Sequence, residues 1–217
     1  MTEKREPSVQ ASLNDYILQE IDTYPDDGSL QQLPAGMWNS SMGTTRDIHY
    51  MGQIQWEGDP QRRSYCSGLV FEIYLAACRR YAVSQSGRPA FILSGVDLNN
   101  FDRFRRDFYG VFGNERTLVD ALVTRGLGTE IEDIDAALPG DLIQIWTHGG
   151  MGHAAVFLRW DRDSHDRPTK LHFWSVQADG VGADSFEVGS EGVYRINESR
   201  TFIVRPSPPD LPSRGHD

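Results

Sequence analysis

The chain has 217 residues, 39% hydrophobic and 11% aromatic, which supplies the apolar material for one well-buried core with at most a small subdomain beside it. Its 21 Lys and Arg stand against 31 Asp and Glu, and the formal net charge of -10 argues against a nucleic-acid or anionic-membrane surface, which needs clustered basic residues. No apolar run approaches membrane-spanning length, and the charged start Met1 to Pro7 carries no Sec-type signal, so the chain is expected to be cytoplasmic as synthesised, with later export by a signal-independent route left open.

Residues 1–11 are polar and charged and are expected to be a flexible tail. Ser12 is a capping-type residue before Leu13, Ile17 and Ile21, whose spacing of four predicts a short amphipathic helix ending before Pro25. Residues 26–64 are rich in Gly, Ser, Asp and Pro and read as loop with one or two strands within Ile48 to Trp56. From Cys66 to Cys78, Leu69, Val70, Ile73, Tyr74 and Ala77 share one helical face, and Cys66 stands at the N-terminal end of that face. Two or three further helices are expected between Asn99 and Arg125.

From Pro139 onward the pattern turns to strands: 141–146, 153–160, 171–177 and 201–204. Their short connections favour an antiparallel sheet, and helices first with sheet second predicts an α+β fold. The catalytic domain is expected to span 12–204, with a flexible tail at 205–217 because prolines at 206, 208, 209 and 212 oppose any regular element.

Only two cysteines occur, and on one helix Cys66 and Cys78 lie about 18 Å apart, too far for a disulfide. Unpaired thiols turn attention to chemistry or packing. A helix N-terminus stabilises a thiolate through its free amides and dipole, which makes Cys66 the candidate nucleophile, whereas Cys78 reads as packing. Attack on a carbonyl also needs a base, an orienting group and oxyanion donors. His153 begins an apolar strand and is chosen as base over His148, which lies in a glycine-rich loop. A hairpin turn near Ser164 to Asp166 puts Gln177 across from His153 as orienting group, with Ser175 in reserve. The Cys66 amide is one oxyanion donor, and the second is open among Tyr65, Gln53 and Gln55. Asp141 reads as a turn brace, Trp146, Trp160 and Trp174 as core, and Gly149 to Gly152 as a close approach to the cleft without the sequence of a phosphate loop. The histidines show no zinc spacing, so no metal and no cofactor are expected.

Tyr65-Cys66-Ser67-Gly68-Leu69-Val70, Leu138-Pro139-Gly140-Asp141-Leu142-Ile143 and Gly152-His153-Ala154-Ala155-Val156-Phe157-Leu158 resemble, in that order, the cysteine, Pro-Gly-Asp-Leu and histidine segments of NlpC-type peptidases. The resemblance covers roughly 48–84 and 134–182. It implies a papain-like fold hydrolysing amide bonds, typically in peptidoglycan stem peptides, with Cys66, His153 and Gln177 as catalytic residues. The family commonly has Asp where Tyr65 stands, and the stretch between cysteine and histidine is longer here because of the helices at about 99–125. The expected substrate is thus a peptide or peptidoglycan fragment, and a partner protein blocking the cleft is conceivable for a secreted toxin. An acyltransferase or protein deamidase using the same pair stays open, as does a binding module with an unreactive Cys66.

Overall fold

The computed structural model describes residues 12–25, 27–34, 42–111, 114–189 and 192–212. The tails expected at 1–11 and 213–217 lie outside them. Helix α1 (Leu13–Ile21) is closed at its start by a capping box: the Ser12 hydroxyl accepts from the Asp15 N–H while the Asp15 carboxylate accepts from the Ser12 N–H. Its apolar stripe Leu13, Ile17 and Ile21 is buried against the long helix α2 (Cys66–Ser86), which ends on Gly87 in the left-handed conformation that favours glycine. Between them β1 (Ile48–Tyr50) and β2 (Gln53–Trp56) form a small antiparallel ribbon. Two helices follow, α3 (Phe101–Tyr109) and α4 (Thr117–Val123).

The second half is a six-stranded sheet of β3 (Gly128–Ile131), β4 (Leu142–Thr147), β5 (Gly152–Arg162), β6 (Pro168–Gln177), β7 (Gly180–Glu187) and β8 (Ile196–Pro206). The order across it is β3-β8-β4-β5-β6-β7, and every pair is antiparallel. Side chains alternate with period two, so each strand feeds two cores. Leu142, Ala154, Val156, Trp174, Val176 and Val204 meet the helices. Ile143, Ala155, Phe157, Leu171, Phe173 and Ile203 form a second apolar layer on the other face, closed by Ile134, Ala137, Trp160 and Phe186. The α+β class and the antiparallel sheet are as expected.

Three expectations are corrected. Strands β3 and β7 have no counterpart among the predicted elements. Both lie at the sheet edges, where one side is unpaired; Gly180-Val181-Gly182-Ala183-Asp184 therefore lacks the alternating apolar pattern of an inner strand. The chain after Val204 does form regular structure: β8 continues to Pro206, which pairs with Gly128 at the strand end where a missing N–H costs least. Beyond it the Ser207 N–H donates to Leu127, and Asp210 and Ile92 exchange backbone hydrogen bonds of 3.0 and 2.8 Å, so 205–212 is held against the body. Of the three tryptophans read as core, only Trp174 is buried; Trp146 and Trp160 are half-buried, their indole N–H groups donating to the Glu115 and Ile134 carbonyls.

Asp141 is fully buried and braces its turn by accepting from the Leu138 N–H at 2.8 Å. It also accepts from the Asn14 amide at 2.7 Å and from the Arg205 guanidinium at 2.9 and 3.0 Å, tying α1, the β4 entrance and β8 together. No helix among the described residues is long and apolar enough to cross a membrane.

Candidate active site

Cys66 is the first residue of α2, after Tyr65 in extended conformation, and no side chain caps that helix start. The first-turn amides are left to the site. The backbone here is tightly enclosed: a Cβ on Gly68 would collide with the main chain of Met42 and Gly43, and one on Gly43 with the Tyr65 ring. The glycine two positions after the cysteine thus has a packing role.

His153 is the second residue of β5. Gly152 before it lies opposite Trp146 on β4, and a Cβ there would meet the indole at 2.9 Å; its absence lets Trp146 lie across the strand beside the histidine. The imidazole packs against the paired rings of Phe173 and Phe186, with ring centroids 5.4 and 6.1 Å away. Its Nε2 is 2.8 Å from the Gln177 side-chain amide nitrogen. The nitrogen and oxygen of an amide exchange places by a half-turn of the terminal torsion. Gln177 accordingly donates to a bare Nε2 in one orientation and accepts from Nε2–H in the other. Ser175, the reserve orienting group, is buried and donates to the Ala154 carbonyl instead.

Burial pushes the Cys66 thiol above its ordinary pKa, opposed by the backbone N–H groups of Ala154, Ser67 and Cys66 itself. The Ala154 amide belongs to the residue after His153, so the sulfur sits against the start of β5. Burial lowers the His153 imidazole to about 4. At neutral pH the Cys66 thiol and the His153 imidazole are therefore both uncharged.

Cys66 and His153 open onto one cleft of about 420 Å³. The start of α2 and strands β4 and β5 supply Tyr65, Cys66, Ser67, Gln144, Trp146 and His153. The opposite wall is Phe108, Tyr109 and Val111 at the end of α3, with Asn114, Thr117 and Leu118 at the start of α4. Helices α3 and α4, whose role the sequence left open, thus reach the cleft with their facing ends. Gln144 holds α4 to the sheet: its side-chain oxygen accepts from the Leu118 N–H at 3.0 Å, where Arg116 provides no side-chain cap.

Other candidates are placed elsewhere. Gln53 and Gln55, weighed as oxyanion donors, lie on β2 and do not line the cleft. His148 Nε2 is 2.7 Å from the Gly189 carbonyl oxygen, and His172 Nε2 is 2.7 Å from an Asp161 carboxylate oxygen. Cys78 is fully buried, its thiol pushed above its ordinary range by burial. Among the described residues no three His, Cys, Asp or Glu side chains cluster as a metal site. A larger groove of about 560 Å³ between α1, β1 and α2 holds Glu20, Arg46, Glu72 and Arg80, but no nucleophile, and its Arg46 and Arg80 both pair with Glu20.

No family model matches the chain, and neither does any curated protein or solved structure.

Proposed function

We propose that the protein is a cysteine-nucleophile hydrolase of amide bonds with a papain-like arrangement, in which Cys66 attacks, His153 transfers the proton and Gln177 orients the imidazole. The observation that carries this reading is the shared cleft: a cysteine at an uncapped helix start and a histidine fixed by a side-chain amide open onto the same 420 Å³ space. The resemblance of the three segments points to a cell-wall peptide as the substrate class.

With both groups neutral at rest, the proton moves during attack. No hydrogen bond joins Cys66 to His153 at rest, where the imidazole packs on Phe173 and Phe186, so the proposed step requires the ring to swing toward the sulfur; the competent tautomer then carries its proton on Nε2, held by the Gln177 oxygen, and presents Nδ1 to the thiol proton. The sulfur adds to the carbonyl carbon, and the resulting oxyanion is met by the Cys66 backbone N–H. Collapse breaks the carbon–nitrogen bond, and the departing amine takes the proton back from the imidazolium. A water deprotonated by His153 then attacks the thioester and releases the acid and the free thiol.

The test is acylation by p-nitrophenyl acetate, followed by release of p-nitrophenol and by peptide mass spectrometry. The expected result is a burst with the acetyl group on Cys66, lost in Cys66→Ala and strongly slowed in His153→Ala. Acetylation no greater at Cys66 than at the buried Cys78 overturns the reading and leaves a binding module. Adding a labelled amine then separates hydrolysis from transfer: incorporation into the product marks an acyltransferase.

A further inference from the structure

We propose that the cleft selects an acyl donor that is uncharged and bulky apolar or aromatic next to the scissile carbonyl, and that it rejects an ammonium or carboxylate there. This inference rests on the hydrolase reading and adds the class of substrate to it.

The described residues lining the cleft include no Asp, Glu, Lys or Arg. Four of them, Tyr65, Phe108, Tyr109 and Trp146, are aromatic. The rings of Tyr65 and Tyr109 meet edge to face with centroids 5.7 Å apart. Two of their polar ends are already committed: the Tyr109 hydroxyl donates to the Met42 carbonyl at 2.9 Å and the Trp146 N–H to the Glu115 carbonyl at 2.7 Å. The rings thus offer apolar area to a ligand.

Two guanidiniums lie over these rings, and each is tied to a carboxylate outside the cleft lining. The Arg105 guanidinium lies 5.0 Å from the Tyr109 ring centroid and pairs with Asp102 at 2.8 Å. The Arg200 guanidinium lies 4.9 Å from the Trp146 centroid and pairs with Glu115. The polar side chains of the wall are also engaged. Gln144 spans the Leu118 N–H and the Thr117 hydroxyl, and the Asn114 side-chain oxygen accepts from the Arg116 N–H. A charged substrate group entering here would shed water and meet no counter-charge, a cost that a neutral aromatic group does not carry. Among cell-wall peptides this favours forms whose carboxylate beside the scissile bond is amidated.

Three chloromethyl ketones test it, with labelling of Cys66 followed by mass spectrometry at about pH 6, where a free α-amine is protonated. They are N-acetyl-phenylalanine, phenylalanine with its free amine, and N-acetyl-aspartate; iodoacetamide serves as a small neutral control. The neutral aromatic reagent is expected to label Cys66 at least about tenfold faster than either charged one. In Gln144→Glu, whose carboxylate can still accept from the Leu118 N–H, the free-amine reagent should gain several-fold on the neutral one. Equal or faster labelling by a charged reagent overturns this inference and leaves the hydrolase reading standing. An unchanged ratio in Gln144→Glu overturns the assignment of selectivity to the uncharged wall. If Cys66 resists all four reagents in the folded protein, both readings fall together.

Discussion

The side-chain amide of Gln177 lies 2.8 Å from Nε2 of His153, on adjacent strands β6 and β5, and so ties that ring nitrogen to the sheet. Gln177→Ala removes that tie and frees the ring to turn. The expected loss is about 10- to 100-fold in kcat with little change in KM, because orientation matters as the proton moves and not as substrate binds. Gln177→Glu should restore most of the rate, since a carboxylate also accepts from Nε2–H. It should also raise the imidazole pKa by placing a negative charge beside it. Steady-state kinetics of the two variants separate an orienting role, which the glutamate rescues, from a purely structural one, which it does not.

The pH dependence follows from burial of the imidazole. His153 is lowered to about 4, so the neutral ring that accepts the thiol proton persists down to that pH. The kcat/KM profile should be flat through neutrality and fall only as pH drops through about 4, and the limb should move upward in Gln177→Glu. Far-UV circular dichroism along the same series checks that the limb is not unfolding. A limb in the ordinary histidine range near pH 6.5 would mean the ring is better solvated during turnover than at rest.

How far the site could be read from the chain depends on the element. The pairing of Gln177 with His153 follows from counting outward from the hairpin turn near Ser164 to Asp166. That count survives only because two irregularities cancel: Leu158 is the extra residue on β5 and Thr169 the extra one on β6, so the register lost at one is regained at the other. The helix carrying Cys66 was legible because its apolar face repeats at helical spacing over several turns. The edge strands β3 and β7 were not, since an edge needs only backbone pairing on one side. Nor was the cleft wall of Tyr109, Asn114 and Thr117, which lies over forty residues from Cys66 and reaches it only through tertiary packing. The one available signal was the length of the helical stretch between Cys66 and His153.

Gly68 tests the enclosure of the helix start. A methyl group there meets the Met42 and Gly43 carbonyls, which are main chain and cannot swing aside as a side-chain tip would. Gly68→Ala should cost about 1–3 kcal/mol and displace the segment beside Tyr65. Denaturant unfolding should show the loss, and Cys66 alkylation by iodoacetamide should change in rate. A variant with wild-type stability and alkylation would show that the Met42–Gly43 segment gives way freely.

Asp141 offers a stability test away from the chemistry. Its carboxylate is fully buried and receives hydrogen bonds from Asn14, Leu138 and Arg205, so Asp141→Ala strands a buried amide N–H and a guanidinium at once. The expected loss is about 3 kcal/mol, seen as a lower urea midpoint at unchanged slope. Arg205 is partly open to water and can rehydrate, which keeps the loss from growing larger. Asp141→Asn keeps an acceptor for the Leu138 N–H and should lose clearly less. Because the brace joins α1 to β4 and β8 without lining the cleft, p-nitrophenyl acetate should still acylate Cys66 in whatever fraction of either variant remains folded. Equal losses from Ala and Asn would assign the stabilisation to charge pairing with Arg205, and high salt should then weaken the wild type toward the variants.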